Sequence, residues 1–269
     1  MIWPLRQLAS LPAGLRDRLA VAPDLDDRDP DFVRERLPAL WLVSSVYFRG
    51  DVRGLGNIPD TGPVLLVGNR SGGSTTPDTL VLVSAFGTYF GVERPLFALT
   101  HSAPLSWPPP GWLRRFGIVA PTPGAESIAL RAGASVLTYP GGEHEGHRPS
   151  WEAGRVDLGD DTSWVQAALR HRVPVVPVVA SGGQETALFL GRRRGVPVSL
   201  ALPWVIHVGS VSGHLPLPAK LTIEVLHPID LHETYGDNPD PEQIRDDIAA
   251  DMQRHLTALQ RDRRLPVLG

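Results

Sequence analysis

The feature that most constrains the fold is an apolar run that ends in a polar, glycine-rich segment followed by a helix start. Residues 63–67 are rich in Val and Leu, which is typical of a strand buried on both faces of a sheet. Residues 68–75 are mostly turn formers. Thr76, Pro77 and Asp78 then suit a helix start: Thr is a good N-cap, Pro fits the first helical position, and an acid favours the positive end of the helix dipole. This order predicts a polar loop at the carboxyl end of a strand, where α/β sheets bind ligands.

A second apolar run ends in the same way. Residues 135–139 precede the glycine pair Gly141 and Gly142, and the pair is followed by ionisable side chains, namely Glu143, His144, Glu145, His147 and Arg148. The carboxyl ends of neighbouring parallel strands lie at the same edge of a sheet. We therefore expect the two loops to form one site.

Composition limits the class of protein. A chain of 269 residues suits one large α/β domain or two small ones, and 42% hydrophobic residues is ordinary for a globular protein. A net charge of −3 gives no support for nucleic-acid binding, and we find no nucleic-acid-binding motif. Because there is no cysteine, disulfides, thiol catalysis and cysteine-bound metals are excluded.

The order of strand-like and helix-like patterns predicts an α/β fold. We expect a mixed, mostly parallel central sheet of about seven strands with helices on both faces. Two helices in residues 1–49 and an α/β domain in residues 50–269 would form a single structural unit. The predicted strands are 63–67, 95–100, 135–139, 173–179, 205–208 and 221–226, and the predicted helices are 1–20, 32–48, 76–86, 126–132, 162–171 and 239–264.

The N-terminal segment has two interpretations. Residues 1–20 carry leucines at near-helical spacing, which fits either a helix packed on the domain or a helix lying in a membrane surface. The second helix becomes apolar towards its end but is too short to span a bilayer. No signal-peptide pattern is present. We predict a cytoplasmic protein, with peripheral contact to the inner face of the cell membrane as the open alternative.

Four blocks in order resemble the glycerolipid and lysophospholipid acyltransferase superfamily, whose members move an acyl chain from a thioester to a glycerol hydroxyl. The resemblance covers residues 50–230, and its blocks are 62–69, 116–119 with 129–133, 139–142 with Glu145, and 173–178. It implies an α/β fold and an acyl-CoA or acyl-carrier protein as donor. It also implies a lipid or other small-molecule acceptor, a place in lipid biosynthesis, and no metal or cofactor.

The first block departs from the family pattern at the catalytic base. The family carries His after the Asn of this block and an Asp after a short spacer, whereas here Asn69 is followed by Arg70, and Asp78 comes after a longer spacer. A general base must release its proton near working pH, and a guanidinium keeps its proton in proteins. Arg70 therefore cannot act as the base.

Several alternatives for the base stay open. Asp78 could orient a partner other than Arg70, or His144 or His147 could serve as the base; His101, at the end of a predicted strand, is a weaker candidate. Arg70 could instead bind charge while the acceptor brings its own base. In an inert alternative, Arg70 and Asp78 form a salt bridge that only fastens the loop to the helix.

The substrate-binding candidates surround the same two loops. The backbone N–H groups of Ser71, Gly72 and Gly73, or of Gly141 and Gly142, could form an oxyanion hole or cradle a phosphate, unless these glycines only permit tight turns. The other candidate substrate-binding residues in these loops are Asn69, Glu143 and Glu145.

The third block also departs from the pattern that the resemblance implies. The family often presents an Arg just after the glycine of this block to bind a glycerol phosphate, and here Glu143 and His144 stand at that place. Arg148 is the candidate substitute. This difference leaves room for a neutral hydroxyl or an amine as acceptor.

Three functions follow from the sequence. The first is acyl transfer from acyl-CoA or acyl-carrier protein to a glycerolipid-type hydroxyl, with an altered catalytic motif. The second is a catalytically silent member of the fold that binds lipid or a partner protein. The third is another acyl-thioester reaction, namely hydrolysis or cyclisation.

Overall fold

The computed structural model describes residues 25–73, 76–100, 112–193, 196–201, 205–208 and 216–263. The helix predicted at 1–20 and the candidate base His101 lie outside the described residues. The second predicted N-terminal helix is present as α1, Pro30–Leu42, which continues as a π-helical turn at Val43–Tyr47.

A seven-stranded sheet forms the centre of the molecule and confirms the predicted mixed, mostly parallel α/β fold. The strand order is β1-β10-β6-β2-β5-β3-β4, and only the pairing of β10 with β6 is antiparallel. The strands are β1 Asp51–Arg53, β2 Leu65–Gly68, β3 Leu96–Leu99, β4 Ile118–Val119, β5 Ser135–Thr138, β6 Val175–Ser181 and β10 Thr222–Val225.

Helices cover both faces of this sheet. Alternation along β2 explains how: Leu65 and Val67 point into one apolar core, and Leu66 points into the other. Helices α3, α5 and α7 line the first core, whereas α1 and α2 line the second. The helices after α1 are α2 Pro77–Phe90, α3 Ala125–Arg131, α4 Gly142–Gly146, α5 Ser163–His171, α6 Leu231–Tyr235 and α7 Pro241–Asp262.

A second, three-stranded antiparallel sheet was not predicted. It comprises β7 Leu188–Arg193, β8 Val196–Ala201 and β9 Val205–Val208. The prediction of a strand at 205–208 is correct, but that strand pairs with β8 rather than joining the central sheet. The hydrophobic pattern of a segment identifies it as a strand, but it does not identify the strand with which it pairs.

Two local predictions were wrong in detail. Helix α2 begins where predicted, but the N-cap residue Thr76 has a left-handed backbone with φ of 37° and makes no side-chain capping bond. The segment after the Gly141–Gly142 pair, expected as a loop, forms the short helix α4. Within the described part of the chain, no helix is both long enough and apolar enough to cross a bilayer.

Candidate active site

The structure places the two polar loops side by side. Strands β2 and β5 are parallel neighbours, with Leu66 opposite Leu137, so the loops that follow them leave the same edge of the sheet. The backbone N–H of Arg70 donates to Glu145 Oε2 at 2.8 Å, which joins the first loop to α4. These two loops make up the candidate active site.

A third loop, after β6, completes the site through a residue that sequence reasoning missed. Gln184 is 3% exposed; its Oε1 accepts the N–H of Gly72 at 2.8 Å, and its Nε2 donates to the carbonyl of Arg148 at 2.8 Å. One amide therefore connects the first and second loops. The available signal was the glycine pair at 182–183, at the end of a strand that proves to be the neighbour of β2.

Asn69 extends the pairing of β2 with β6. Its Nδ2 donates to the carbonyl of Ala180 at 2.9 Å, and its Oδ1 accepts the N–H of Ala180 at 2.7 Å. The side chain is 3% exposed. Both ends of the amide are thus bound to the backbone of β6.

The Asp78 carboxylate holds the first loop in place. Its Oδ2 accepts the backbone N–H and the hydroxyl of Ser71, each at 3.0 Å, and its Oδ1 accepts the N–H of Thr79 at 2.8 Å. Burial raises the pKa of this carboxyl, and the hydrogen bonds and the charge of Arg70 oppose the rise. Asp78 therefore orients Ser71 directly, and Arg70 acts on it through charge.

Arg70 is a buried cation, 1% exposed, among acidic groups. Burial lowers the pKa of its guanidinium, and nearby Asp78, Tyr139, Glu143 and Glu145 oppose this shift. Gly146 leaves the space that the side chain occupies, because a Cβ there would lie 3.0 Å from Arg70 Nε and 3.1 Å from its Cδ. The lowered pKa does not make Arg70 a base, since guanidinium groups keep their proton in proteins.

Glu145 is a second buried carboxyl of the site whose pKa is raised. Its side chain has no solvent exposure; Oε1 accepts the N–H of Asp157 at 3.0 Å and lies 3.4 Å from Arg148 Nη2. Burial raises the pKa of Glu145 to about 8, against the opposing charge of Arg148 and the N–H groups of Arg70 and Asp157. Together with the hydrogen bond from the Arg70 N–H, these contacts connect the first loop, Arg148 and the segment at Asp157 through one carboxyl group.

Arg148 is bound within the protein at each guanidinium nitrogen. Nε donates to the carbonyl of Glu145 at 3.1 Å, Nη1 donates to the carbonyl of Arg155, and Nη2 pairs with the Glu145 carboxylate. The side chain is 8% exposed. The candidate phosphate-binding arginine is therefore engaged in holding α4 to the segment that follows it.

The two histidines of the second loop lie in different environments. His147 is 3% exposed, and its Nδ1 is 3.1 Å from the carbonyl oxygen of Glu143. A carbonyl oxygen only accepts, so Nδ1 carries the proton and Nε2 is the basic nitrogen of the neutral ring. His144 is 77% exposed, with Nδ1 3.5 Å from Asp157 Oδ2.

His147 lies against the first loop. A Cβ on Gly73 would be 3.5 Å from His147 Cδ2, the ring carbon bonded to Nε2. The ring of Phe189, on β7, packs edge-on against His147 with centroids 6.4 Å apart. The structure thus brings His147, and not the exposed ring of His144, to the loop that carries Arg70.

The backbone donors predicted for an oxyanion hole are partly occupied. The N–H groups of Ser71 and Gly72 bind Asp78 and Gln184, and the N–H of Gly142 donates to the carbonyl of Tyr139 at 2.9 Å. Gly141 is required for close packing, because a Cβ there would overlap the carbonyl oxygen of Asp157. Among the described residues, no three His, Asp or Glu side chains are grouped to hold a metal ion.

The chain shares its fold with a lipid acyltransferase of known structure. The crystal structure of the 1-acyl-sn-glycerophosphate (LPA) acyltransferase PlsC from Thermotoga maritima matches it with a TM-score of 0.54 and 18% sequence identity, over 92% of this chain and 87% of that chain. At this level of sequence identity, the similarity establishes the fold.

Curated relatives in sequence are uncharacterized proteins of mycobacteria. One from Mycobacterium leprae is 29% identical over 277 residues, covering 94% of this chain and 74% of its own length. One from Mycobacterium tuberculosis is 29% identical over 273 residues, covering 94% and 75%. No protein-family model matches the sequence.

Proposed function

We propose that this protein transfers an acyl group from acyl-CoA or acyl-carrier protein to a glycerolipid-type hydroxyl, with His147 as the general base. The observation that carries the proposal is the buried His147 ring, whose Nδ1 is fixed by the Glu143 carbonyl and whose opposite edge faces the first loop. Because this contact fixes the orientation of the ring, Nε2 is the nitrogen that would take a proton from the acceptor.

The proposed reaction proceeds by direct attack of the acceptor on the thioester. His147 Nε2 takes the proton of the hydroxyl as its oxygen bonds to the thioester carbonyl carbon. The carbon–sulfur bond then breaks, and the imidazolium returns the proton to the leaving thiolate, giving an ester and a free thiol.

Substrate access requires movement of β7. His147 is 3% exposed and Phe189 is 1% exposed, so the strand that carries Phe189 covers the base. Displacement of this strand would admit the acceptor and the acyl chain.

A catalytically silent, lipid- or partner-binding protein is the second candidate. It is favoured by the internal use of the first loop: Asp78 and Gln184 already occupy the N–H groups of Ser71 and Gly72. A loop whose donors are satisfied by protein groups stabilises the fold without needing a substrate.

We also propose peripheral membrane contact through the end of α1 and its π-helical turn. Four large apolar side chains are exposed there: Trp41, Leu42, Val43 and Val46, at 54%, 56%, 41% and 67%. A cluster of exposed apolar residues marks an interaction surface, and Trp is favoured at the lipid headgroup layer.

Free-thiol release by the purified protein tests the proposed function. Acyl-CoA and acyl-carrier thioesters would be offered with and without lysophosphatidate, monoacylglycerol or diacylglycerol. We expect acceptor-dependent release, and we expect His147→Asn to lower it by at least about 100-fold, because Asn keeps the donor to the Glu143 carbonyl and loses the base. His144→Gln, at an exposed ring, is the matched control and should retain activity.

The other outcomes separate the alternatives. Release without an acceptor would indicate thioester hydrolysis or cyclisation. Lipid binding without any release would favour the silent protein. Equal losses in the two histidine variants would exclude His147 as the specific base.

A further inference from the structure

We propose that the acceptor is an uncharged alcohol, such as a monoacylglycerol, and not a lipid that carries a phosphate at its acceptor end. This inference rests on the proposed function and names the substrate class of the same site. It follows from how the site uses its positive charges and its N–H groups.

A phosphate needs positive charge or convergent N–H donors to replace its hydration. The second loop supplies the cation Arg148, and its three guanidinium nitrogens face the Glu145 carboxylate and the carbonyls of Glu145 and Arg155. To bind a phosphate, Arg148 would have to leave the fully buried Glu145 side chain and two backbone carbonyls. Leaving buried acceptors without a donor is costly.

The backbone donors of the first loop are also in use. The N–H of Ser71 donates to the Asp78 carboxylate, and the N–H of Gly72 donates to Gln184. A phosphate in this loop would displace a carboxylate of the protein that is 1% exposed. The Asp78 carboxyl group therefore already occupies the Ser71 N–H donor that a phosphate would need in this loop.

The net electrostatics of the site disfavour a dianion. The charge of the buried Arg70 is offset first by Asp78, and Glu143 adds to this. The guanidinium of Arg148 is bound by the Glu145 side chain and by two backbone carbonyls. A phosphate would lose its hydration without gaining an excess of positive charge.

An aromatic ring lies next to the proposed base. A Cβ on Gly73 would be 2.5 Å from Phe189 Cε1, so the aromatic ring lies directly on the glycine beside His147. An alcohol with apolar neighbours can pack against this ring once β7 has moved. A neutral acceptor therefore fits both the charge and the lining of the site.

Two lipids that differ only in the phosphate test the inference: a monoacylglycerol and the lysophosphatidate with the same acyl chain, each in neutral-detergent micelles. Binding is measured without a donor, by displacement of a fluorescent monoacylglycerol, and acyl transfer is measured with acyl-CoA. We expect the neutral lipid to bind at least tenfold more tightly and to be acylated at least tenfold faster. Equal binding, tighter binding of lysophosphatidate, or binding of neither lipid would overturn the inference.

The binding measurement separates this inference from the proposed function. If neither lipid is acylated but the neutral lipid still binds tenfold more tightly, the proposed function fails and the inference on ligand class stands. If acylation proceeds with a preference for lysophosphatidate, the function stands and the inference fails.

Two arginine variants sharpen the result. Arg148→Gln should weaken the binding of both lipids by the same factor, because Arg148 serves the fold; selective loss of lysophosphatidate binding would overturn the inference. The exposed Arg155→Gln should leave the ratio of the two affinities unchanged, and a selective loss there would equally overturn it. Thermal melting identifies variants that fail to fold. If a variant does not fold, the ratio of the two lipid affinities measured on the wild-type protein still tests the inference.

Discussion

At the scale of single residues, the side chain at position 70 decides whether the first loop can hold a base. Arg70 is fully enclosed and lies next to Gly146, so a smaller ring fits the space that it leaves. We expect Arg70→His to raise acceptor-dependent thiol release by at least about 100-fold, because an imidazole can accept a proton at neutral pH. The measurement is the thioester assay described above.

The control for this gain is Arg70→Gln, which removes the charge and supplies no base. Its release should stay at or below the wild-type rate. In the Arg70→His protein, adding His147→Asn should cost much less than it does in the wild type, because the base would then reside in the first loop. A rise of the same size in Arg70→Gln would show that removal of the cation, and not a new base, had increased the rate.

The raised pKa of Glu145 predicts how the stability of the folded protein depends on pH. Its pKa of about 8 in the folded state lies above the ordinary value of 4.5, so between these values the folded state holds more protons than the unfolded chain. The contribution to stability is therefore complete below about pH 4.5 and is lost as pH rises through about 8. We expect Glu145→Gln, which cannot ionise, to flatten the fall of Tm between pH 5 and 8 by at least about 5 °C.

Melting curves across this pH range test the prediction. The variant should also lose stability at every pH, because Gln cannot accept both the Arg70 and Asp157 N–H groups, as the carboxylate does. Glu143→Gln, two residues earlier in α4 and partly exposed, should keep the wild-type dependence. An unchanged slope in Glu145→Gln would assign the dependence to other groups.

At the scale of elements, the approach of α4 to the first loop depends on two glycines of different kinds. A Cβ at Gly146 would press on the Arg70 side chain, whereas a Cβ at Gly141 would overlap the backbone oxygen of Asp157. We expect Gly146→Ala to cost about 1–3 kcal/mol in the wild type and much less when Arg70 is replaced by Ala. Gly141→Ala should be costly in both backgrounds, since a backbone atom cannot rotate away.

A double-mutant cycle followed by denaturant unfolding measures this coupling. Additive effects of Gly146→Ala and Arg70→Ala would show that α4 and Arg70 are not in steric contact. Coupling of Gly141→Ala to Arg70→Ala as large as that of Gly146→Ala would show a general rearrangement of the loops.

Some of the contacts between the loops of the site were predictable from the sequence, and others were not. The meeting of the two loops was predictable, because apolar runs that end in turn residues and are followed by helices indicate parallel strands with loops at one edge. The role of Gln184 was not predictable, since its partner Gly72 is 112 residues away and an amide gives no pattern of its own. The separation of His147 from His144 was equally hidden, because burial depends on the turn of α4 and on Phe189 of β7.

At the scale of the whole molecule, five of the seven strands of the central sheet followed from hydrophobic pattern, whereas the short strands β1 and β4 and the second sheet did not. Val and Leu runs of the central strands are buried on both faces, which leaves a strong signal. Strands β7 to β9 pair with each other locally, and nothing in their pattern distinguishes that pairing from a place in the central sheet.

Membrane association is a prediction for the whole molecule. Trp41 and Val46 are exposed at the end of α1 and in its π-helical turn, and Trp151 is 70% exposed on a different segment. We expect Trp41→Gln with Val46→Asp to lower co-sedimentation with lipid vesicles by at least about tenfold, because apolar area is what inserts. Trp151→Gln is the matched control and should bind as the wild type does. Equal losses in both proteins would remove the case for α1 as the contact surface.

The bare backbone at Gly146 also has a genetic consequence. Some Arg codons differ from His codons by a single nucleotide, so position 70 can change between the two in one mutational step. A Cβ at residue 146 would press on the arginine, so a side chain there would penalise the arginine form. A lineage that keeps Gly146 can therefore exchange a fixed charge for a proton acceptor, and reverse the exchange, without this steric cost.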